Sequence, residues 1–260
     1  MAWTIAVVGK GGTGKTTLAA LLTWRLVARG CVPVLAVDAD PNTCLDQALG
    51  VRAVKTVGAL REETDQARAA GMDKQRWLEL RVAECLVEGP DFDLVAMGRP
   101  EGPGCYCYAN AVLKDVLRRV ADAYPYLVVD NEAGLENLSR RLLMSTDALV
   151  YVGDPSRRGL ETLRRVHGLA CDMGIRAGRR VMVVNRTRHP EPPAAVEAVR
   201  RDIAADLLLC LPDDPELAAL DEAGESLTLL PDANPLVRAV DRLLEQLELP
   251  GTSPGGEPAA

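Results

Sequence analysis

An excess of positive charge is missing from this chain. Its 30 Lys and Arg stand against 37 Asp and Glu, for a net charge of −7 and a pI near 5.1. That balance argues against a broad basic face for nucleic acid or anionic lipid. Also missing is any uninterrupted apolar run approaching 18 residues, so no transmembrane helix is predicted. The first residues, from Met1 to Val8, contain no basic stretch and pass from apolar side chains straight into glycines, which reads as a strand rather than a secretory leader. Histidine is down to His167 and His189, too little for a metal store. The 7 cysteines are odd in number and scattered, which fits reduced thiols in a cytoplasmic protein better than a disulfide framework. Neither nucleic acid nor a membrane is therefore an expected partner.

What is present is the composition of a packed domain, 48% hydrophobic and 26% charged. Strand-length apolar runs at 4–8, 34–37, 92–97, 126–129, 148–152, 181–184 and 207–211 alternate with helical patterns. The helical segments are 16–29, 109–121, 138–145, 159–172, 194–204 and 235–248. This βαβα order predicts an α/β fold with a mainly parallel sheet and helices on both faces. The segment 54–88 mixes signals, with a strand-like alternation at 77–82 between helical flanks. No internal linker or repeat divides the chain, so residues 1–248 read as one domain and 249–260 as a Pro/Gly-rich disordered tail.

After the first strand comes Gly9-Lys10-Gly11-Gly12-Thr13-Gly14-Lys15-Thr16-Thr17, the G-x-x-x-x-G-K-[ST] pattern between a strand and a helix. Glycines let successive backbone N–H groups curl around phosphate oxygens, while the helix directs its positive end at them. Lys15 would meet the β- and γ-phosphates, and the Thr16 hydroxyl would join a Mg²⁺ shell. Lysine usage sharpens the reading: of only 5 lysines against 25 arginines, two lie in this loop. A compact ammonium approaches phosphate as a point charge in a way that a guanidinium does not. With Lys10 directly after the first glycine, the loop resembles the deviant Walker A group of P-loop NTPases, which includes the MinD, ParA and nitrogenase iron proteins. The resemblance implies a three-layer P-loop fold, ATP as the nucleotide, and a homodimer in which Lys10 reaches the partner's nucleotide.

Two further segments fit a phosphate centre. Asp38-Ala39-Asp40-Pro41-Asn42 ends the second strand, and carboxylates at spacing two on extended backbone face one side. By resemblance Asp40 orients or deprotonates the attacking water and Asp38 acts near Mg²⁺. Asp130-Asn131-Glu132-Ala133-Gly134 ends a buried strand in D-x-x-x-G, so Asp130 would hold Mg²⁺ through water and the Gly134 N–H would sense the γ-phosphate. Asn185 ends another strand, and its amide matches adenine N6 and N7. Pro212 and Asp213 resemble the family's second adenine-side segment. The run Asn185-Arg186-Thr187-Arg188 lacks the guanine pattern N-K-x-D, which favours ATP over GTP.

Between the third strand and the next helix stands Gly104-Cys105-Tyr106-Cys107-Tyr108. In extended backbone both thiols of C-x-C lie on one face, within reach of one metal. Two thiolates are half a site, and a two-fold dimer would complete a Cys₄ set for Zn²⁺ or, in planar coordination, Ni²⁺. Taken with the segment 130–141, this combination is similar to the CooC-type maturation ATPases of carbon monoxide dehydrogenase and their acetyl-CoA synthase relatives. It spans residues 3–248, and Asn137 departs from the His expected there. The resemblance implies an ATPase that delivers nickel to a nickel–iron–sulfur client enzyme. A MinD/ParA-like positioning ATPase and an iron–sulfur assembly ATPase stand as alternatives.

Overall fold

The computed structural model describes residues 2–61, 83–99, 113–114, 117, 121–132, 145–188 and 191–250. Its first strand, β1 (Trp3–Gly9), is buried from Thr4 onward. A strand without a polar side needs cover on both faces. Ile5 and Val7 point into one apolar cluster, Ala6 and Val8 into another, as the alternation of a pleated strand requires.

The remaining strands are β2 (Val34–Asp38), β3 (Leu86–Glu88), β4 (Phe92–Ala96), β5 (Tyr126–Asp130), β6 (Ser145–Gly153), β7 (Arg176–Thr187) and β8 (Leu207–Pro212). Among the described residues they form one sheet in the order β3-β4-β2-β5-β1-β6-β7-β8. Every pairing is parallel except β3 with β4 at one edge. The helices are α1 (Lys15–Ala28), the single turn α2 (Leu45–Ala48), α3 (Arg157–Asp172), α4 (Ala194–Asp202), α5 (Pro215–Ala223) and α6 (Pro235–Gln246).

One face of the sheet is covered by α1 and α6, which bring Leu18, Leu22, Leu26, Val240, Leu243 and Leu244 together. The other is covered by α3 and α4 through Leu160, Leu163, Val196 and Val199, joined by helical Leu113 and Leu117. The result is the three-layer α/β fold expected of the sequence. Arg25 grips both Asp241 oxygens, at 2.9 Å each, and reaches Asp232. Arg29 reaches Asp241 and Glu245, so α1 and α6 are clamped along their polar margin.

The differences from the sequence reading have local causes. Ser145, expected to end a helix, begins β6 instead, and 138–144 lie outside the described residues. β7 starts at Arg176 rather than 181, because its backbone ladder with β6 continues past the apolar run into arginines. None of the residues in α5 is buried, so it left no apolar period to read. Ala121 lies in a short 3₁₀ turn (Ala121–Ala123). Leu249 is buried in the core and the Tyr126 hydroxyl donates to the Pro250 carbonyl, so packing continues past the boundary drawn at 248. Residues 251–260 and the alternating stretch 77–82 lie outside the described residues. No helix among the described residues is long and apolar enough to cross a membrane.

Candidate nucleotide site

β1 lies between β5 and β6, and the loop after it opens at the C-terminal edge of the sheet. In open α/β sheets this edge, where the strand order reverses, collects the ligands. The loop needs glycine at two close approaches. A Cβ on Gly9 would come within 2.2 Å of the Val152 carbonyl oxygen. At Gly14, left-handed at φ 92, a Cβ would sit 2.3 Å from Asn185 Nδ2. Thr13 Oγ1 donates to the Lys10 carbonyl at 2.8 Å, and Asn185 Nδ2 donates to the Thr13 carbonyl at 3.0 Å, fixing the loop from two sides.

Unlike α3, α5 and α6, which are capped by Ser156, Asp214 and Asn234, α1 begins at Gly14 with no side-chain cap and no acid in its first turn. Its first N–H groups and positive dipole end thus remain available to an anion. Lys15 is buried at 7% exposure, with Nζ 3.3 Å from the Lys10 carbonyl that it donates to. Lys10, Gly11 and Gly12 are exposed.

The carboxylates come from neighbouring strands. Register pairs Asp38 with Asp130 at the ends of β2 and β5, and Asp130 with Val7 of β1. Asp130 is 1% exposed; its Oδ2 accepts from Thr16 Oγ1 at 2.6 Å, while its Oδ1 is buried with no partner among the described residues. Burial first, and the Asp38 carboxylate second, push the Asp130 pKa up to about 7, against the pull of Thr16 and Lys15. Burial pushes Asp38 up to about 6, although three backbone N–H groups favour its charged form. Two buried carboxylates with an orphaned oxygen beside a threonine hydroxyl are the donor set that a hard cation fills, and the residues fit Mg²⁺.

The Asp40 charge reaches both Asp38 and Asp130 and raises them. The strand ends at Asp38, and the chain folds back so that Asp40 N donates to Asp38 Oδ1 at 3.0 Å. Asp38 Oδ2 takes the N–H groups of Cys44 and Leu45, each at 2.9 Å, and so caps α2. Asp40 is half-buried and holds Asn42. Sequence reading missed two participants. Asn131 Nδ2 bridges the Val7 and Val129 carbonyls, leaving its Oδ1 buried without a partner among the described residues. Arg99 donates to Asn42 Oδ1 at 2.5 Å from the end of β4. Asn131 follows the motif aspartate and was visible; Arg99 is isolated in sequence and gave no signal.

Gly14, Thr17, Asn185, Arg186, Pro212 and Asp213 line a recess of ≈ 130 Å³ beside the loop. The Asn185 amide is partly engaged there, donating to Thr13 O and accepting from Arg186 N at 2.9 Å. A second N–H and a second lone pair remain on that amide. Cys105, Cys107 and Gly134 lie outside the described residues.

Ligand-free stability should carry the mark of the buried acids. Asp38 and Asp130 hold protons in the folded chain at pH values where the unfolded chain has released them. Their contribution is therefore full below about pH 4 and is lost as pH rises through about 6 and 7. Asp130→Asn is expected to be more stable than wild type at pH 8 without ligand, by more than about 1 kcal/mol, and to flatten that decline. Urea unfolding at pH 5 and pH 8 measures both effects.

Fold and loop together define a P-loop nucleotide-binding protein. The AAA domain family model matches residues 2–170. The chain is 37% identical to an uncharacterized ATP-binding protein of Methanocaldococcus jannaschii, covering 94% of this chain and 97% of that one. It is 32% identical to the carbon monoxide dehydrogenase accessory protein CooC of Rhodospirillum rubrum, over 85% and 88%. The septum site-determining protein MinD of Pyrococcus horikoshii, solved with Mg-ADP, superposes with a TM-score of 0.68 at 23% identity, covering 95% and 96%. The chain belongs to the AAA domain family, and its fold is that of the solved MinD and ParA structures.

Proposed function

We propose that this protein is a metal-handling ATPase. ATP closes a homodimer, Cys105 and Cys107 of both copies hold a Ni²⁺ or Zn²⁺ cargo, and hydrolysis opens that site at a nickel–iron–sulfur client enzyme. The observation that carries the nucleotide half is Asp130, buried with one oxygen on Thr16 and the other without a partner among the described residues, in front of an uncapped helix. Thr16 and Asp130 would hold Mg²⁺ with Asp38 beside them; when bound, the ion neutralises phosphate charge. Lys15 and the N–H groups of the glycine loop take the phosphates, and exposed Lys10 is free to reach a partner copy's nucleotide. Asp40 positions or deprotonates water, while Asn185, Pro212 and Asp213 flank the base.

Support for the metal half is the C-x-C pair, together with the 32% identity to a protein named for carbon monoxide dehydrogenase. A positioning ATPase is the second reading, favoured by the likeness to MinD. Against membrane docking through α6, its apolar residues are already buried against α1 and the sheet.

Equilibrium dialysis at micromolar free Ni²⁺ or Zn²⁺, with mass determination, tests the proposal. One tightly held metal per wild-type dimer, lost in Cys105→Ala/Cys107→Ala, is the expected result. No tight metal, or metal indifferent to both cysteines, overturns the cargo and leaves the positioning ATPase.

A further inference from the structure

Far from the phosphate edge, α3 carries His167 and Cys171 one turn apart, the spacing that puts two side chains on one helix face. His167 Nε2 lies 3.6 Å from Cys171 Sγ, and His167 Nδ1 lies 3.3 Å from the Tyr151 hydroxyl. Tyr151 is 1% exposed on β6 beneath the helix, its ring edge-on to the imidazole at 5.8 Å between centroids. Cys171 is exposed, and a Cβ built on neighbouring Gly168 meets nothing within 4 Å, so the space beside the pair is open.

The 3.6 Å separation, an S–H···N hydrogen bond, is also the bite that a chelated metal would span. With a metal–sulfur bond of about 2.3 Å and a metal–nitrogen bond of about 2.0–2.1 Å, a tetrahedral angle separates the two donors by about 3.6 Å. A ligating imidazole also needs an oxygen partner for its other ring nitrogen, which fixes the tautomer, and Tyr151 stands at that nitrogen. Burial first, and the Arg180 charge second, lower the His167 pKa toward the neutral ring; the same Arg180 charge opposes a bound cation, so the Cys171 thiolate must offset it. No third His, Cys, Asp or Glu joins the pair among the described residues.

We propose that His167 and Cys171 form a second metal site, taking one borderline divalent cation of the zinc and nickel class, with solvent completing its shell. It is independent of the nucleotide centre: eleven and fifteen residues beyond the Ser156 cap, the pair stands about 16–22 Å along α3 from the phosphate end. Two protein donors leave coordination positions open, so the ion stays exchangeable and passes to a better donor set, which suits acquisition rather than storage.

The test uses the full chain with Cys105→Ser/Cys107→Ser, reduced and without nucleotide, titrated with Co²⁺ alone. Thiolate-to-cobalt charge-transfer absorption should saturate at one Co²⁺ per chain and be displaced by Zn²⁺. Adding Cys171→Ser, a change at an exposed position, should abolish it. His167→Gln should weaken binding, and Tyr151→Phe should raise the apparent dissociation constant about 10-fold or more. Absence of the band, its survival in Cys171→Ser, or its indifference to His167→Gln overturns the proposal. Because the cysteines at 105 and 107 are removed throughout, that failure is separate from failure of the cargo reading.

Discussion

Lys15→Ala is expected to lower ATP turnover by about 10²–10³-fold and to weaken nucleotide binding, while leaving the fold intact. Losing one preorganised donor to a charged transition state costs on that order. The ammonium is buried at 7% exposure, donates to the carbonyl of its own loop, and lends its charge to buried Asp130. Lys15→Arg should fail almost as badly, although arginine supplies 25 of the chain's 30 basic residues. A planar guanidinium fork does not approach the phosphates as the compact point charge of an ammonium does. Phosphate release and titration with a fluorescent ATP analogue measure both variants. Turnover within about threefold of wild type in Lys15→Ala would remove the loop from its assigned role.

How much of this was legible depends on whether chemistry or packing chose the residue. The glycine loop was fully legible, because close backbone approach at Gly9 and a left-handed turn against the Asn185 side chain at Gly14 both call for glycine and leave a fixed spacing. The central strands were legible because burial on both faces forces unbroken runs such as Ile5 to Val8. Strand ends were not, since β7 extends through Arg176, Arg179 and Arg180 on backbone hydrogen bonds that any side chain permits. Asp38 and Asp130 were recognisable from their spacing to other motifs, but their lateral pairing in register is a property of the sheet order. The contact from Arg99 to Asn42 joins residues 57 positions apart and belongs to no pattern. The His167–Cys171 pair fell below notice because cysteine and histidine one turn apart acquire meaning only with Tyr151 beneath them.

Asp40→Ala is expected to separate binding from hydrolysis. Asp40 is half-buried and outside the Asp38–Asp130 register pair, so its removal leaves Thr16, Asp38, Asp130 and Lys15 in place and takes away a like charge that raises both buried acids. ATP should remain bound and the dimer closed, while turnover falls by about 10²–10⁴-fold, the scale of a lost general base. Its carboxylate also shapes the loop, accepting from Asn42 N at 2.8 Å and Asn42 Nδ2 at 3.0 Å, with Arg99 holding the far side of Asn42. Asp40→Asn distinguishes the two roles, because an amide oxygen still accepts the Asn42 N–H but cannot take a proton from water. Both variants should lose hydrolysis to a similar degree, measured in a single turnover, and both should run as ATP-bound dimers by light scattering. Full turnover in Asp40→Asn would reduce Asp40 to a loop-shaping residue and move the search for the base to another group. A monomer in Asp40→Ala would tie the closed state to the Asp40–Asn42–Arg99 chain rather than to the phosphate contacts of Lys10 and Lys15.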